Sequence, residues 1–222
     1  MSSLIKPINE QKRIESLKRY DILDTPPDGS FDRITQLAST IFGVPIAIIS
    51  LVDTDRIWFK SAHGLTVNQI GRDPGLCASA ILSSEIYVVG DACSDPRTLA
   101  NPLVAGEFGL KFYAAVPLQT EDQCNLGTLC IIDKVARTLT EKEQLILKHL
   151  ADVVMDEMEL RLALRQTVTN VKKLTSDISY HLDDAIEGIE KLSAEEQKQK
   201  VLEYLDASKL FLQNVENQMN LL

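Results

Sequence analysis

Ile46-Ala-Ile-Ile-Ser-Leu-Val-Asp53-Thr-Asp-Arg56-Ile-Trp-Phe-Lys-Ser-Ala-His63 decides the fold. Its first part is a continuous aliphatic, largely β-branched run, the pattern of a buried strand. Asp53-Thr-Asp-Arg56 then turns the chain, and Ile57–His63 alternates as an antiparallel partner. Downstream, a polar irregular stretch ends in Arg72-Asp-Pro-Gly75, followed by a short helix at Cys77–Leu82 and a strand at Ile86–Val89. A long loop from Asp91 to Gly106 carries two prolines together with Asp91, Asp95, Arg97 and Asn101. Loops of this length inside compact domains often bind. Leu110–Leu118 and Leu126–Asp133 read as a second hairpin, turned by Gln119–Asn125. Upstream lie an amphipathic helix at residues 9–20, the turn Asp24-Thr-Pro-Pro-Asp-Gly29, and a helix with Phe31, Ile34, Leu37, Ala38, Ile41 and Phe42 on one face. Gly43 is the natural stop of that helix. The order describes an α+β domain, an antiparallel sheet covered by helices.

Beyond the sheet the pattern changes. Thr140-Glu-Lys-Glu143 is a capping box, and no Gly or Pro follows until Gly188. Leu164, Val168, Val171, Thr175, Ile178, Leu182, Ala185, Ile189 and Leu192 recur at alternating steps of four and three, the seam of a coiled coil or bundle. At about 1.5 Å per residue such a helix reaches roughly 75–80 Å. Ser193-Ala-Glu-Glu196 is a further capping box, opening a helix with the seam Val201, Leu205, Ser208, Leu212, Val215, Met219 and Leu222. One hairpin cannot bury both seams, whereas two copies make a four-helix bundle, so a homodimer is expected.

A chain of 222 residues suits one domain plus a smaller module, and 45% hydrophobic residues suffice for a core. The net charge of −9 argues against sequence-independent binding to nucleic acid or anionic membrane, which reward Lys and Arg. Met-Ser-Ser-Leu-Ile-Lys at the start has no apolar core of a signal peptide, and no stretch approaches a membrane span, so a cytoplasmic location is expected. Cys77, Cys93, Cys124 and Cys130 lack metal-ligand spacing and nearby His, which points to reduced structural thiols and no metal.

Several runs fall in order: Tyr20-Asp-Ile-Leu-Asp-Thr-Pro-Pro27, Phe31-Asp-Arg-Ile, Ser50-Leu-Val-Asp53, Arg56-Ile-Trp-Phe-Lys60, Asp95-x-Arg97, Asn101-Pro-Leu-Val104, Pro117-Leu118 and Leu126-Gly-Thr-Leu-Cys-Ile-Ile-Asp133. Together they resemble the bacterial GAF domains found at the front of signalling proteins, over about residues 8–160. The resemblance implies a six-stranded antiparallel sheet with a ligand-sized cavity between sheet and loops. It does not name the occupant, since GAF domains bind many small molecules or none. Arg72, Cys77, Asp91, Asp95, Arg97, Asn101 and Tyr113 are the residues expected around such a pocket. Asp95 and Arg97 suit a clamp on an anionic ligand, or a tie within their own loop. Tyr113 suits ligand stacking or core packing, and Cys130 on its buried strand suits packing.

Specific GAF chemistries are disfavoured by residue. A covalent bilin needs a Cys-His pair where this chain has Ala100-Asn101, so no bilin cofactor is expected. Free methionine sulfoxide reductases need a reactive Cys near Asn101, and none is present. The cyclic-nucleotide signature Asn-Lys-Phe-Asp-Glu does not occur. Where a common form of this subgroup has Phe-Cys-Ala-His, this chain has Leu76-Cys-Ala-Ser79, without the His that suits a metal or proton shuttle.

The C-terminal hairpin, residues 161–222, resembles the dimerisation and histidine-phosphotransfer helices of sensor kinases. Laid in hydrophobic register, Ile178-Ser-Tyr-His-Leu-Asp-Asp-Ala-Ile186 puts Tyr180 at the phosphoacceptor position and His181 one place beyond it, about 100° round the helix. Phosphotransfer needs an exposed His oriented by a carboxylate. No glycine-rich nucleotide box occurs in the chain, so a non-enzymatic two-component regulator is expected. In it, Tyr180, His181, Asp183 and Asp184 would meet a response regulator or sensor kinase. The alternative is a phosphotransfer relay through His181.

Overall fold

The computed structural model describes residues 6–190 and 194–219, with side chains given for all of these except 189–190, 194–195, 198 and 215–219. The seam positions Ile189, Leu192, Val215, Met219 and Leu222, the capping Ser193 and the segment Met1–Ile5 therefore lie outside the described side chains.

The chain opens with α1 (Glu10–Arg19) and α2 (Gly29–Phe42). The Asp28 side chain caps α2 by accepting from Ser30 N at 2.9 Å, which satisfies a free N–H at the helix start. Gly43 ends α2 at φ 57°, the left-handed conformation that glycine adopts without strain. Six strands follow: β1 (Ile46–Val52), β2 (Arg56–His63), β3 (Gln69–Gly71), β4 (Tyr87–Val89), β5 (Phe112–Gln119) and β6 (Asn125–Asp133). They form one antiparallel sheet in the order β3-β2-β1-β6-β5-β4. The short helices α3 (Leu76–Ala80) and α4 (Pro102–Ala105) lie in the connections on either side of β4. Two elements go beyond the sequence reading. β3 falls within the stretch read as irregular, and α4 within the stretch read as loop.

The sheet separates two cores. On one face, α1, α2 and the start of α5 (Glu141–Glu190) pack Leu17, Phe31, Ala38, Leu147 and Val154 against Leu51, Phe112 and Leu129. On the other, α3 and the loops pack Leu76, Ile81 and Leu110 against Ile48, Phe59 and Cys130. β1 and β6 approach closely between the cores: a Cβ on Gly127 would lie 1.8 Å from the Ser50 carbonyl oxygen. Only glycine allows this spacing, immediately beside Thr128.

The chain divides into two compact units, Met1–Ala163 and Leu164–Leu222. The expected capping box opens α5: Thr140 N donates to Glu143 Oε2 at 2.8 Å and Glu143 N to Thr140 Oγ1 at 3.2 Å. The second unit holds the rest of α5 and α6 (Ala194–Met219). Within it Ala185 is only 6% exposed, while Leu164, Leu182, Leu205 and Leu212 stay 57, 54, 53 and 59% exposed. Much of the seam is thus uncovered within a single chain. Among the described residues, no helix is long and apolar enough to cross a membrane.

Candidate functional site

The pairing register gathers a polar cluster on the face covered by α3. Ser50 pairs with Thr128, and Cys130 stands opposite both Ile48 and Ala115. Strand alternation turns Tyr113 to the same face. All are buried: Ser50, Thr128 and Cys130 at 0%, Tyr113 at 1%, and Cys77 of α3 at 5%. Tyr113 donates its hydroxyl to Cys77 Sγ at 3.3 Å, and the Ser50 and Thr128 hydroxyls share a hydrogen bond of 2.9 Å.

Two pairs of uncharged polar side chains are therefore satisfied inside an apolar core, as buried polar groups must be. The two thiols are driven apart in acidity. The hydrogen bond from Cys130 lowers the Cys77 pKa; burial opposes this, and Ser50, Tyr113 and Thr128 add to it. Cys130 is pushed up, first through its bond to Cys77 and then by burial. Burial is also the main cause that raises Tyr113.

From Tyr113 a line of contacts leads outward. Tyr87 meets Tyr113 edge-on at 6.0 Å, and the Arg97 guanidinium sits over the Tyr87 ring at 4.7 Å. Arg97 Nη2 also donates to Asp95 at 2.6 Å and to the Val88 carbonyl at 2.8 Å. Asp95 and Arg97 are thus tied to each other within their loop and to β4. Asp91 accepts from Cys93 N and Ser94 Oγ. Asn101 caps α4 and donates to the Pro74 carbonyl at 2.7 Å, joining the two loops over the sheet. Tyr87 was not among the residues expected around the site, although the strand that carries it was read at Ile86–Val89.

Arg72 is not with this group. It is buried, and Nη1 donates to Glu10 on α1 and to the Asp53 carbonyl. Its Nε and Nη2 have no hydrogen-bond partner in the structure. Glu10 also accepts from Arg13 Nε and Nη2, both at 2.8 Å. Burial alone would raise the Glu10 carboxyl, but hydrogen bonds from Arg13 and Arg72 outweigh it and bring it down to about 2.

The opposite face has a second concentration of polar contacts, at Asp24-Thr-Pro-Pro-Asp28. Asp24 binds Arg56 through both oxygens, at 2.9 and 2.6 Å. Thr25 Oγ1 and the Pro26 carbonyl accept from the buried Lys60 Nζ at 2.8 and 2.9 Å. Asp28 pairs with Arg161 of α5, whose guanidinium lies 4.8 Å from the centre of the Phe31 ring. Tyr20 donates to Glu159, two residues before Arg161. A cleft of about 650 Å3 opens beside this turn, lined by Asp24, Asp32, Trp58, Lys60, Leu65 and Val67 among others.

In the second unit Tyr180 is exposed and its ring contacts that of His181 edge-on at 5.6 Å. His181, Asp183 and Asp184 are exposed too. Among the described residues, no group of three or more His, Cys, Asp or Glu is placed to hold a metal ion.

With this geometry in hand, comparison with known proteins is informative. The model of the GAF domain family matches residues 26–158. A cyclic di-GMP phosphodiesterase of Pseudomonas aeruginosa is 36% identical over 185 residues, covering 79% of this chain and 31% of that protein. The chain thus spans about a third of its relative's length. The shared segment exceeds everything up to Met158, so the likeness continues along α5 past the end of the family match. Among solved structures, the blue-light absorbing form of the Thermosynechococcus elongatus PixJ GAF domain superposes with a TM-score of 0.54 at 17% identity, covering 72% of this chain and 95% of that one. The free methionine-R-sulfoxide reductase of Neisseria meningitidis gives 0.51 at 21%, covering 75% and 99%. At these identities the likeness is one of fold.

Proposed function

The chain belongs to the GAF domain family, and from that premise we propose that it is a dimeric regulator in which a GAF sensor drives a non-catalytic helical hairpin. The observation that carries this reading is the seam left more than half exposed at Leu164, Leu182, Leu205 and Leu212. Covering it with a second copy gives the four-helix bundle that such a hairpin needs. The likeness to the phosphodiesterase supports it as well, because that likeness takes in the GAF domain together with the helix leaving it. A unit shared in this way suits sensing joined to transmission.

In this mechanism, a change in the loops over Tyr113 or in the Asp24–Asp28 turn alters how α2 grips α5 at Arg161. The shift passes along α5 as a rotation or change of register. The exposed stretch Tyr180–Asp184 then offers a response regulator or kinase a surface of altered geometry. The relay alternative uses His181 as phosphoacceptor, with Asp177, Asp183 and Asp184 on the same stretch of helix.

Sedimentation of the full chain tests the dimer. The expected result is a dimer at micromolar concentration, reduced to a monomer by the double variant Leu182→Glu with Leu205→Glu while the GAF unit keeps its melting transition. A monomeric wild-type chain overturns the reading. Incubation with a phosphorylated receiver domain tests the relay: acid-labile label on His181 would replace the non-catalytic reading with the relay.

A further inference from the structure

The cleft of about 650 Å3 beside the Asp24–Asp28 turn opens where the sheet stops pairing. β3 pairs with Arg56, Ile57 and Trp58, and Phe59 N still donates to the Asn68 carbonyl at 2.8 Å. Beyond that point β2 runs on to His63, while the returning chain at Leu65–Val67 takes no part in the sheet. The gap between them has the volume of a site for one small organic molecule.

Its lining divides by chemistry. Pro27, Trp58, Leu65 and Val67 form an apolar wall, and Trp58 is 7% exposed where Val67 is 49%, so the wall runs from the core out to the rim. Asp32 stands on the same cleft as its exposed carboxylate. One oxygen of Asp32 accepts from Ser61 Oγ at 2.7 Å, and Ser61 Oγ is held in turn by Thr35 Oγ1 at 2.8 Å. The other charges bordering the cleft are directed elsewhere. Asp24 binds Arg56 through both oxygens, and Asp28 pairs with Arg161. Lys60 is buried and turns its ammonium to Thr25 Oγ1 and the Pro26 carbonyl. Among the described residues, no cation forms an ion pair with Asp32.

We propose that this cleft binds an organic cation, a primary amine carrying an apolar body, with Asp32 as its counter-charge.

A carboxylate in open water holds a cation weakly. Asp32 is instead oriented by a hydroxyl relay and set beside a wall that an apolar body can cover. An amine of that kind gains a charge-assisted hydrogen bond and buries apolar surface in the same step, whereas an anion of the same shape meets the Asp32 charge. Asp32 lies on α2, four residues beyond Asp28, so an occupant sits beside the Asp28–Arg161 link to α5. This goes beyond the regulator reading, because the cleft is complete within one chain.

Trp58 is the single tryptophan of the chain, so its fluorescence reports on this cleft. Titrating the full chain with cyclohexylamine at neutral pH should give a saturable change in that fluorescence. Cyclohexanecarboxylate, of like shape and opposite charge, should bind at least about tenfold more weakly. Asp32→Asn should weaken amine binding at least about tenfold. Val67→Lys, at a half-exposed position, sets a rival cation on the same wall and should weaken it too, which keeps the test decisive if the Asn variant folds poorly. No saturable change with cyclohexylamine up to about 10 mM would overturn the proposal, as would equal binding of the carboxylate or an amine affinity unchanged in both variants. None of these outcomes depends on whether the chain sediments as a dimer.

Discussion

The two faces of the sheet are held by different physics. On the helical side, ion pairs link distant segments: Glu10 with Arg72, Asp24 with Arg56, and Asp28 with Arg161. On the loop side, a neutral set of thiols and hydroxyls is sealed inside apolar packing. The Asp24–Arg56 and Asp28–Arg161 pairs lie near the surface and exchange partners at small cost, because water compensates most of what is lost, whereas the Glu10 pairs are buried. A sealed neutral cluster has no such exchange open to it, and it changes through covalent chemistry or through a group that replaces its internal hydrogen bonds. The charges of one face can re-pair locally, whereas the packing of the other changes only as a unit.

Three substitutions sharpen this contrast. The largest effect is expected at Phe31, whose ring is fully buried with Lys60 and Arg161 standing over it at 5.4 and 4.8 Å. Phe31→Ala should cost about 4 kcal/mol in urea unfolding of the GAF unit. A loss under about 1 kcal/mol would mean that the ion pairs hold that face without the ring beneath them.

Glu10→Gln comes next, at about 3 kcal/mol, because it leaves Arg13 and Arg72 buried without their shared counter-charge. The Glu10 carboxyl falls from an ordinary 4.5 to about 2 in the folded chain. Its contribution is therefore complete above about pH 4.5 and is lost as the pH falls towards 2. The stability gap between wild type and variant should close over that window in denaturant titrations, and a gap unchanged at pH 3 would count against the ion-pair account.

The smallest effect belongs to the neutral cluster. Tyr113→Phe removes one hydroxyl donor and should lower stability by about 1 kcal/mol. A loss comparable to that at Glu10 would erase the distinction between the faces.

Most of the fold was legible in the chain. Ile46–Val52 and Leu126–Asp133 are central strands with long aliphatic runs, and Gly43 and Thr140 announce helix ends through their own backbone chemistry. β3 was not legible, since three residues ending in glycine carry no period. The site was legible only in part. Cys77 and Tyr113 do meet, but Arg72, read as their neighbour, reaches Glu10 instead. Its place in the chain fixes the backbone neighbourhood and leaves open which way a long side chain turns. The meeting of Ser50 with Thr128 was hidden for a related reason. It is made by register between strands, and no spacing along the chain encodes it.

Arg137 ties the first part of α5 to a single neighbour. Its guanidinium donates to the Phe42 and Gly43 carbonyls at the end of α2, while Arg161 pairs with Asp28 at the start of α2. The helix is thus moored to the same neighbour just before it begins and again about 30 Å along its length. Sliding by a single residue, about 1.5 Å, would strain both moorings in the same sense. Turning about the long axis would instead lift Leu147, Val154 and Met158 out of the core. Held at two points and seated along one face, this part of α5 moves only together with α2.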